Sequence, residues 1–248
     1  MIVVSLPVFN EEAGLEDFLK ELHEHLSQYQ PEFVVVDDAS TDSTPSVIES
    51  LNREGFPIHA LRNPANAGHG ISVVRGLTTA VSRNPQRIVL CDGDGQFNGE
   101  DVSRLVNASI NSGAQVIEGV RTGRDDPWFR RFISWGTRVL VRQSSGKKAL
   151  DANTPLRVLT LAAAESLLSQ IPTGCPVPNL AMSAISRAQG FIITEMAVVS
   201  RPPRRNIGTS DHWKQRFRLL PSKRLVRFVL NSIVSWRAIH RYLKLGQR

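Results

Sequence analysis

Short apolar runs alternate with longer amphipathic ones from the first residue onward, and this rhythm limits the chain to one broad architecture. The runs predict strands near residues 2–6, 32–36, 57–61, 87–91 and 115–120, with helices near 11–28, 43–54, 70–82 and 100–111 between them. Strand–helix–strand order of this kind marks an α/β fold, a mostly parallel sheet flanked by helices, because a parallel neighbour is reached only through a crossover. In the first helix Leu15, Phe18, Leu19, Leu22 and Leu26 recur at helical spacing and are assigned to the core. Beyond about residue 120 the rhythm loosens into a helix over 128–143, a short strand near 155–159, helices near 161–169 and 179–189, and a strand near 191–198. With 248 residues, 41% of them apolar, the chain supports one sizeable core without requiring a second.

Two of the predicted strands end in carboxylates. Residues 88–97 form an apolar run that closes on Asp92-Gly93-Asp94-Gly95-Gln96, and in extended chain Asp92 and Asp94 point the same way. Gly93 and Gly95 allow a tight turn beside a bulky ligand. Paired carboxylate oxygens suit a hard divalent ion, Mg2+ or Mn2+, that takes its other ligands from water and substrate phosphates, and Gln96 offers a further oxygen. The second tip is Val36-Asp37-Asp38-Ala39-Ser40. In a parallel α/β sheet both tips open onto one crevice beyond the carboxyl ends of the strands, where a carboxylate can accept hydrogen bonds from a base or from ribose hydroxyls. Asp37 and Asp38 are assigned to that ligand, whereas Ser40 and Asp42 are expected to cap the helix starting near Pro45.

Charge is very unevenly distributed. Residues 1–120 carry 7 basic against 17 acidic side chains, and residues 121–248 carry 23 against 6. The basic half seeks an anionic partner such as lipid headgroups or a phosphorylated substrate, while the acidic half opposes binding to nucleic acid. Between Lys223 and Leu245, basic residues flank Leu225, Val226, Val229, Ile233, Trp236 and Leu243. This segment fits an amphipathic helix lying in a membrane interface, and equally a helix packed on the domain or on a second subunit. Its longest apolar stretch, Phe228 to Trp236, is too short to span a bilayer. Cys91 and Cys175 support neither a disulfide framework nor a zinc site. The run Met1 to Leu6 lacks the length and basic flank of an export signal, so a cytoplasmic setting is expected.

In order along the chain stand Leu6-Pro7-Val8-Phe9-Asn10-Glu11-Glu12, Val36-Asp37-Asp38-Ala39-Ser40-Thr41-Asp42, Asn66-Ala67-Gly68-His69-Gly70 and Asp92-Gly93-Asp94-Gly95-Gln96. With these motifs the chain closely resembles family-2 glycosyltransferases of the GT-A fold, and within them the dolichol- or polyprenyl-phosphate sugar synthases. The resemblance covers roughly residues 1–210 as the catalytic domain and leaves 211–248 as the basic C-terminal segment. It implies that Pro7, Phe9, Glu11, Asp37 and Asp38 line the nucleotide site, with Gly68, His69 and Gly70 in the loop that opens the next helix. It implies that Asp92, Asp94 and Gln96 hold the metal, and that Arg121 of Gly119-Val120-Arg121 binds phosphate. The stretch Arg130 to Arg138 is similar to a helix that offers Arg131, Ser134 and Arg138 to an acceptor phosphate. Asp151 to Arg157 is similar to an acceptor loop followed by a strand-borne arginine, Arg157. Arg204, Arg205, Gly208 and Ser210 match a Gly-x-Ser-Lys loop, except that Asp211 replaces the lysine.

The implied reaction is an inverting displacement at the anomeric carbon of a GDP- or UDP-linked sugar, with Asp94, Arg121 and Asp151 as catalytic residues. A phosphate acceptor is ionised near neutral pH and needs cationic positioning, which the arginine-rich second half supplies. A hydroxyl acceptor on a soluble or polymeric glycan instead requires a carboxylate base, for which Asp151, Asp125 and Asp126 are available. A basic membrane-binding protein with a vestigial donor site is the reading from another class. A nucleotidyltransferase is disfavoured because no Gly-rich phosphate loop with a lysine follows the first strand. The nucleotide, the sugar and the oligomeric state are not encoded in these motifs.

Overall fold

A computed structural model describes residues 1–122 and 128–204 and positions 230, 234, 236 and 237, with only the backbone described at 128–130. Every strand and helix expected between residues 2 and 198 is present, with ends displaced by a few residues; the helix expected between Lys223 and Leu245 lies outside the described residues apart from isolated positions. The strands are β1 (Ile2–Val8), β2 (Pro31–Asp37), β3 (Ile58–Arg62), β4 (Arg87–Leu90), β5 (Val116–Thr122), β6 (Arg157–Thr160) and β7 (Ile193–Val199). The α-helices are α1 (Leu15–Leu26), α2 (Thr44–Arg53), α3 (His69–Ser82), α4 (Gly99–Asn111), α5 (Trp128–Ser145), α6 (Leu161–Gln170) and α7 (Pro178–Ala188). They build one sheet of order β3-β2-β1-β4-β6-β5-β7.

β1 pairs in parallel with both β2 and β4, so strand order reverses between β1 and β4 and opens a crevice at their carboxyl ends. The exception to parallel pairing is β6, antiparallel to both β4 and β5 with Leu90 opposite Arg157. This reversal has a functional consequence: the loop that enters β6, residues 151–156, lies over the same sheet edge as the chain leaving β4. β7 pairs in parallel with β5, so its exit, residues 200–204, also emerges at that edge.

One apolar layer contains the α1 stripe Leu15, Phe18, Leu19, Leu22 and Leu26, all fully buried, together with Val102 and Leu105 of α4. The other is built from α3, α6 and α7 on the opposite face. α1 begins at Leu15 rather than near 11 because the preceding amides are engaged elsewhere. Asn10 N–H donates to Ser40 Oγ at 3.0 Å, Glu11 N–H to Thr44 Oγ1 at 2.8 Å and Glu12 N–H to Asp42 Oδ2 at 3.2 Å. Ser40 therefore ties the β1 loop rather than capping α2, whereas Asp42 Oδ1 does accept from Thr44 N–H at 3.0 Å.

The core also holds charge. Arg157, fully buried, donates to Glu118 Oε1 at 3.3 Å, to the Thr154 carbonyl at 2.6 Å, to Asn179 Oδ1 at 3.1 Å and to Ser183 Oγ at 2.6 Å. Arg187 reaches the other Glu118 oxygen at 2.7 Å and Glu195 at 3.0 Å. Burial alone pushes the Glu118 carboxyl up; the charges and hydrogen bonds of Arg157 and Arg187 reverse this and hold it below the ordinary carboxylate range. The expectation that Arg157 contacts the acceptor is corrected here. Its guanidinium hydrogen-bonds inward at both terminal nitrogens and at Nε, and no surface of it faces solvent. It braces the base of the 151–156 loop.

Candidate active site

The Asp37-Asp38 tip divides its labour. Asp38 Oδ1 accepts from Asn63 Nδ2 at 2.6 Å and Ala67 N–H at 2.9 Å, while Oδ2 accepts from Gly68 N–H at 2.9 Å. Both oxygens are thus engaged in shaping the loop before α3. Asp37 Oδ1 accepts from Ser40 N–H at 2.9 Å, but Oδ2 is buried without a hydrogen bond, with Arg62 Nε 3.5 Å away. A buried acceptor of this kind is costly until a donor meets it, which a ligand N–H or hydroxyl can do. Pro7 and Phe9 are half-buried on the adjoining strand end and Glu11 is buried.

The two glycines of the α3 loop have different origins. Gly68 is at φ 93°, a left-handed conformation that excludes most side chains. Gly70 is required by packing: a Cβ there would lie 2.5 Å from the Cys175 carbonyl oxygen and 2.7 Å from the Pro176 main chain. It brings α3 onto the 175–176 backbone.

Main-chain pairing between the first and fourth strands continues past β4, with Cys91 N–H to the Ser5 carbonyl at 3.1 Å and Gly93 N–H to the Pro7 carbonyl at 3.2 Å. This fixes the stem of the Asp92–Gln96 turn. A Cβ at Gly93 would strike the Val8 side chain. Asp92 remains partly exposed, with His69 Nε2 3.6 Å from its Oδ1, and Asp94 Oδ1 accepts from Gln96 N–H at 3.1 Å. Burial, then the Asp92 and Asp94 charges, push the Cys91 thiol up, so it is an inert wall rather than a thiolate. The donor set fits a hard divalent cation bound jointly with substrate. Asp92 and Asp94 flank Gly93 in the turn, and among the described residues no group of three or more His, Cys, Asp or Glu could hold a metal without ligands from substrate or water.

In the loop expected to meet the acceptor, Arg121 and Asp151 pair through two parallel hydrogen bonds, Nε to Oδ2 at 2.7 Å and Nη2 to Oδ1 at 3.0 Å, and Arg121 also donates to the Asn153 carbonyl at 3.2 Å. Burial works to raise the Asp151 carboxyl, but the Arg121 hydrogen bonds and charge outweigh it and leave it below the usual range. A small cleft, with room for little more than a water molecule, lies between this loop and the Asp92 tip. Ser5, Pro7, Cys91, Asp92, Pro155 and Asn179 line it.

Arg131, Ser134 and Arg138 are all exposed, at a spacing that places them on one face of α5, so they are accessible to a ligand. Beside them Phe132 and Trp135, 65% and 54% exposed, stack with ring centroids 5.5 Å apart. Trp236 Nε1–H donates to the Leu140 carbonyl at 3.1 Å, so at that position the C-terminal segment packs on α5. Among the described residues no helix is long and apolar enough to cross a membrane. Asp125, Asp126, Arg205, Gly208, Ser210 and Asp211, the boundary near 210 and the rest of the basic segment lie outside the described residues.

Sequence reasoning missed the buried cluster around Glu118. It also missed the role of Arg204, which folds back onto Glu21 of α1. A lone acid on a helix and an arginine in a loop carry no signal of such a pairing.

Fold and site together define a glycosyltransferase of the GT-A class. The fold is similar to that of glucosyl-3-phosphoglycerate synthase from Mycobacterium tuberculosis in complex with UDP. The TM-score is 0.66 at 17% identity, covering 97% of this chain and 80% of that one. A structure of the same enzyme with Mn2+, UDP and phosphoglyceric acid gives 0.65 at 18%, covering 95% and 78%. S. aureus TarS 1–349 gives 0.53 at 19%, covering 79% and 59%. The profile of glycosyl transferase family 2 matches residues 3–169, and the chain belongs to that family. In sequence it is 28% identical over 189 residues to the undecaprenyl-phosphate 4-deoxy-4-formamido-L-arabinose transferase of Edwardsiella ictaluri, covering 75% of this chain and 57% of that protein. The Pseudomonas fluorescens transferase of the same name is 28% identical over 185 residues, covering 73% and 53%. The chain thus spans a little over half the length of these relatives.

Proposed function

We propose that the protein moves one sugar from a GDP- or UDP-linked donor onto a polyprenyl phosphate, with inversion, at the cytoplasmic face of a membrane. On the donor side Pro7, Phe9, Glu11 and Asp37 hold the nucleoside, the unmet Asp37 Oδ2 receiving a hydrogen bond from base or ribose. Asp38 acts through the loop it shapes, and Gly68 and Gly70 set the path of that loop and helix. Asp92, Asp94 and Gln96 are the residues that would hold Mg2+ or Mn2+, which when bound neutralises the diphosphate as it leaves. On the acceptor side Arg121, Arg131, Ser134 and Arg138, with Arg205, position the lipid phosphate. An oxygen of that phosphate forms the new bond to the anomeric carbon, the bond from that carbon to the β-phosphate oxygen breaks, and the nucleoside diphosphate departs with the electron pair.

The observation that carries the choice of acceptor is the Arg121–Asp151 pair. A hydroxyl acceptor needs a carboxylate free to take a proton, yet in Asp151, the one candidate base among the described residues, both oxygens are bound by one guanidinium and the carboxyl is held below its ordinary range. A phosphate acceptor arrives ionised and needs only the arginines. The exposed Phe132–Trp135 pair between Arg131 and Arg138 suits a membrane interface, where aromatic rings and basic side chains are both favoured. Similarity to transferases named for undecaprenyl phosphate supports the same reading.

The test offers labelled UDP- and GDP-sugars to the purified protein with short-chain polyprenyl phosphates or with free glycans, with and without Mn2+. A product on the lipid phosphate is expected. Product on glycans alone would overturn the proposal.

A further inference from the structure

Glu21 of α1 belongs to neither the donor nor the acceptor residues, yet its contacts converge on the turn that bears Asp94. Its Oε1 accepts from Gly99 N–H at 2.7 Å, where the turn passes into α4. Its Oε2 pairs with Arg204 Nη2, and Arg201 Nη1 lies 3.6 Å from Oε1. One carboxylate thereby ties the exit of the turn to the chain leaving β7.

That chain runs directly alongside the turn. Arg204 N–H donates to the Asp94 carbonyl at 2.9 Å and Arg201 N–H to the Gln96 carbonyl at 2.8 Å, so the turn is bonded on its outer flank as well as through its stem. The Arg204 side chain covers the back of the turn. Its guanidinium lies 5.6 Å from the centre of the Phe18 ring, and its stem fills the space that side chains at Gly14 and Gly95 would occupy. At Gly95 a Cβ would lie 2.7 Å from Arg204 Cδ, and the residue is at φ 71°, so both the backbone and the arginine demand glycine there. The Glu21 and Arg204 side chains are only 19% and 25% exposed, which shields the pair from the screening that weakens surface ion pairs.

We infer that Glu21 and Arg204 are positioning residues that clamp the Asp94–Gln96 turn from behind and thereby set its affinity for a divalent cation. The inference rests on the metal-binding reading of Asp92 and Asp94. Small divalent cations demand near-ideal ligand geometry, and groups that orient the ligands without touching the metal change its affinity about 10–100-fold when removed. A carboxylate on a turn bounded by Gly93 and Gly95 has little intrinsic rigidity, and the clamp supplies it from α1 and the β7 exit.

The experiment measures Mn2+ binding to the full chain by electron paramagnetic resonance, with Mn2+ alone and with Mn2+ plus UDP or GDP, alongside thermal unfolding. Four proteins are compared: wild type, Asp94→Ala, Glu21→Gln and Arg204→Met. Glu21→Gln keeps an acceptor for Gly99 N–H and loses the charge, while Arg204→Met keeps an apolar stem over Gly95 and loses the guanidinium. Both are expected to weaken Mn2+ binding about 10–100-fold while metal-free UDP or GDP affinity is unchanged. Lower thermal stability with wild-type Mn2+ affinity in both variants would overturn the inference and leave a purely structural brace. If wild type and Asp94→Ala bind Mn2+ equally, the metal reading fails and the inference with it. If Asp94→Ala alone loses Mn2+, the metal reading stands and the clamp is rejected.

Discussion

Arg121, the penultimate residue of β5, and Asp151, thirty residues later, are joined by two parallel hydrogen bonds at 2.7 and 3.0 Å. The pair links the sheet to the 151–156 loop and leaves Asp151 ionised but occupied. Asp151→Asn is expected to raise the acceptor KM by about tenfold or more, as Arg121 loses its orienting partner at a cost on the scale of one charge-assisted hydrogen bond, while the shape of the pH–rate profile is unchanged. A fall in kcat of about 10²-fold or more with loss of the acidic limb would instead identify Asp151 as a base and return the hydroxyl acceptor to first place.

Arg157 and Glu118 test the correction made by the fold. Glu118→Ala leaves Arg157 and Arg187 as buried cations without their shared carboxylate, which is expected to cost about 3–5 kcal/mol in urea unfolding. Arg157→Ala, which leaves Glu118 with Arg187 as its one cation, frees Asn179 and Ser183 and opens a cavity, is expected to fall in the same range. An Arg157→Ala protein of wild-type stability with a raised acceptor KM would restore the acceptor role.

Acid stability follows from the same carboxylates. Glu118 and Asp151 both titrate below their ordinary values in the folded chain, so their contribution is fully present above the unfolded carboxylate range, about pH 4, and is lost as pH falls through the folded values. Stability measured by denaturant between pH 6 and pH 2 should therefore decline steeply in its lower half. The decline should be shallower in Asp151→Asn, where one of the two depressed groups is gone.

Gly70→Ala places a methyl group against the Cys175 carbonyl and the Pro176 main chain, which cannot rotate aside as a side chain does. A loss of about 1–3 kcal/mol is expected, as for overpacking elsewhere. Unchanged stability with weakened UDP or GDP binding would show that this glycine serves the nucleotide instead.

Much of this molecule is legible locally. Apolar runs punctuated by Asp37 and by Asp92 announce strand tips because side-chain alternation and turn residues act over only a few positions, and the α1 stripe announces its buried face by period alone. The order of those motifs carries the family, since it depends on chain sequence and not on contacts. What the chain order does not contain is the destination of long, versatile side chains. Arg157 and Arg138 each lie in arginine-containing stretches of the basic half, yet one is sealed among Glu118, Asn179 and Ser183 and the other is exposed on α5. Arg204 stood in a loop by sequence and is an anchor on Glu21 in space, 183 residues distant.

The primary structure by itself determined the α/β class, the two acidic tips and the asymmetry of charge, because each depends on residues adjacent in the chain. Tertiary structure alone decided that β6 runs antiparallel and so brings Pro155, from the loop that begins at Asp151, beside Asp92. It also decided which arginines are spent inside the protein and which remain for a ligand. That division is set by whether a distant carboxylate can compensate the desolvation of a guanidinium, and such compensation exists only once the chain has folded.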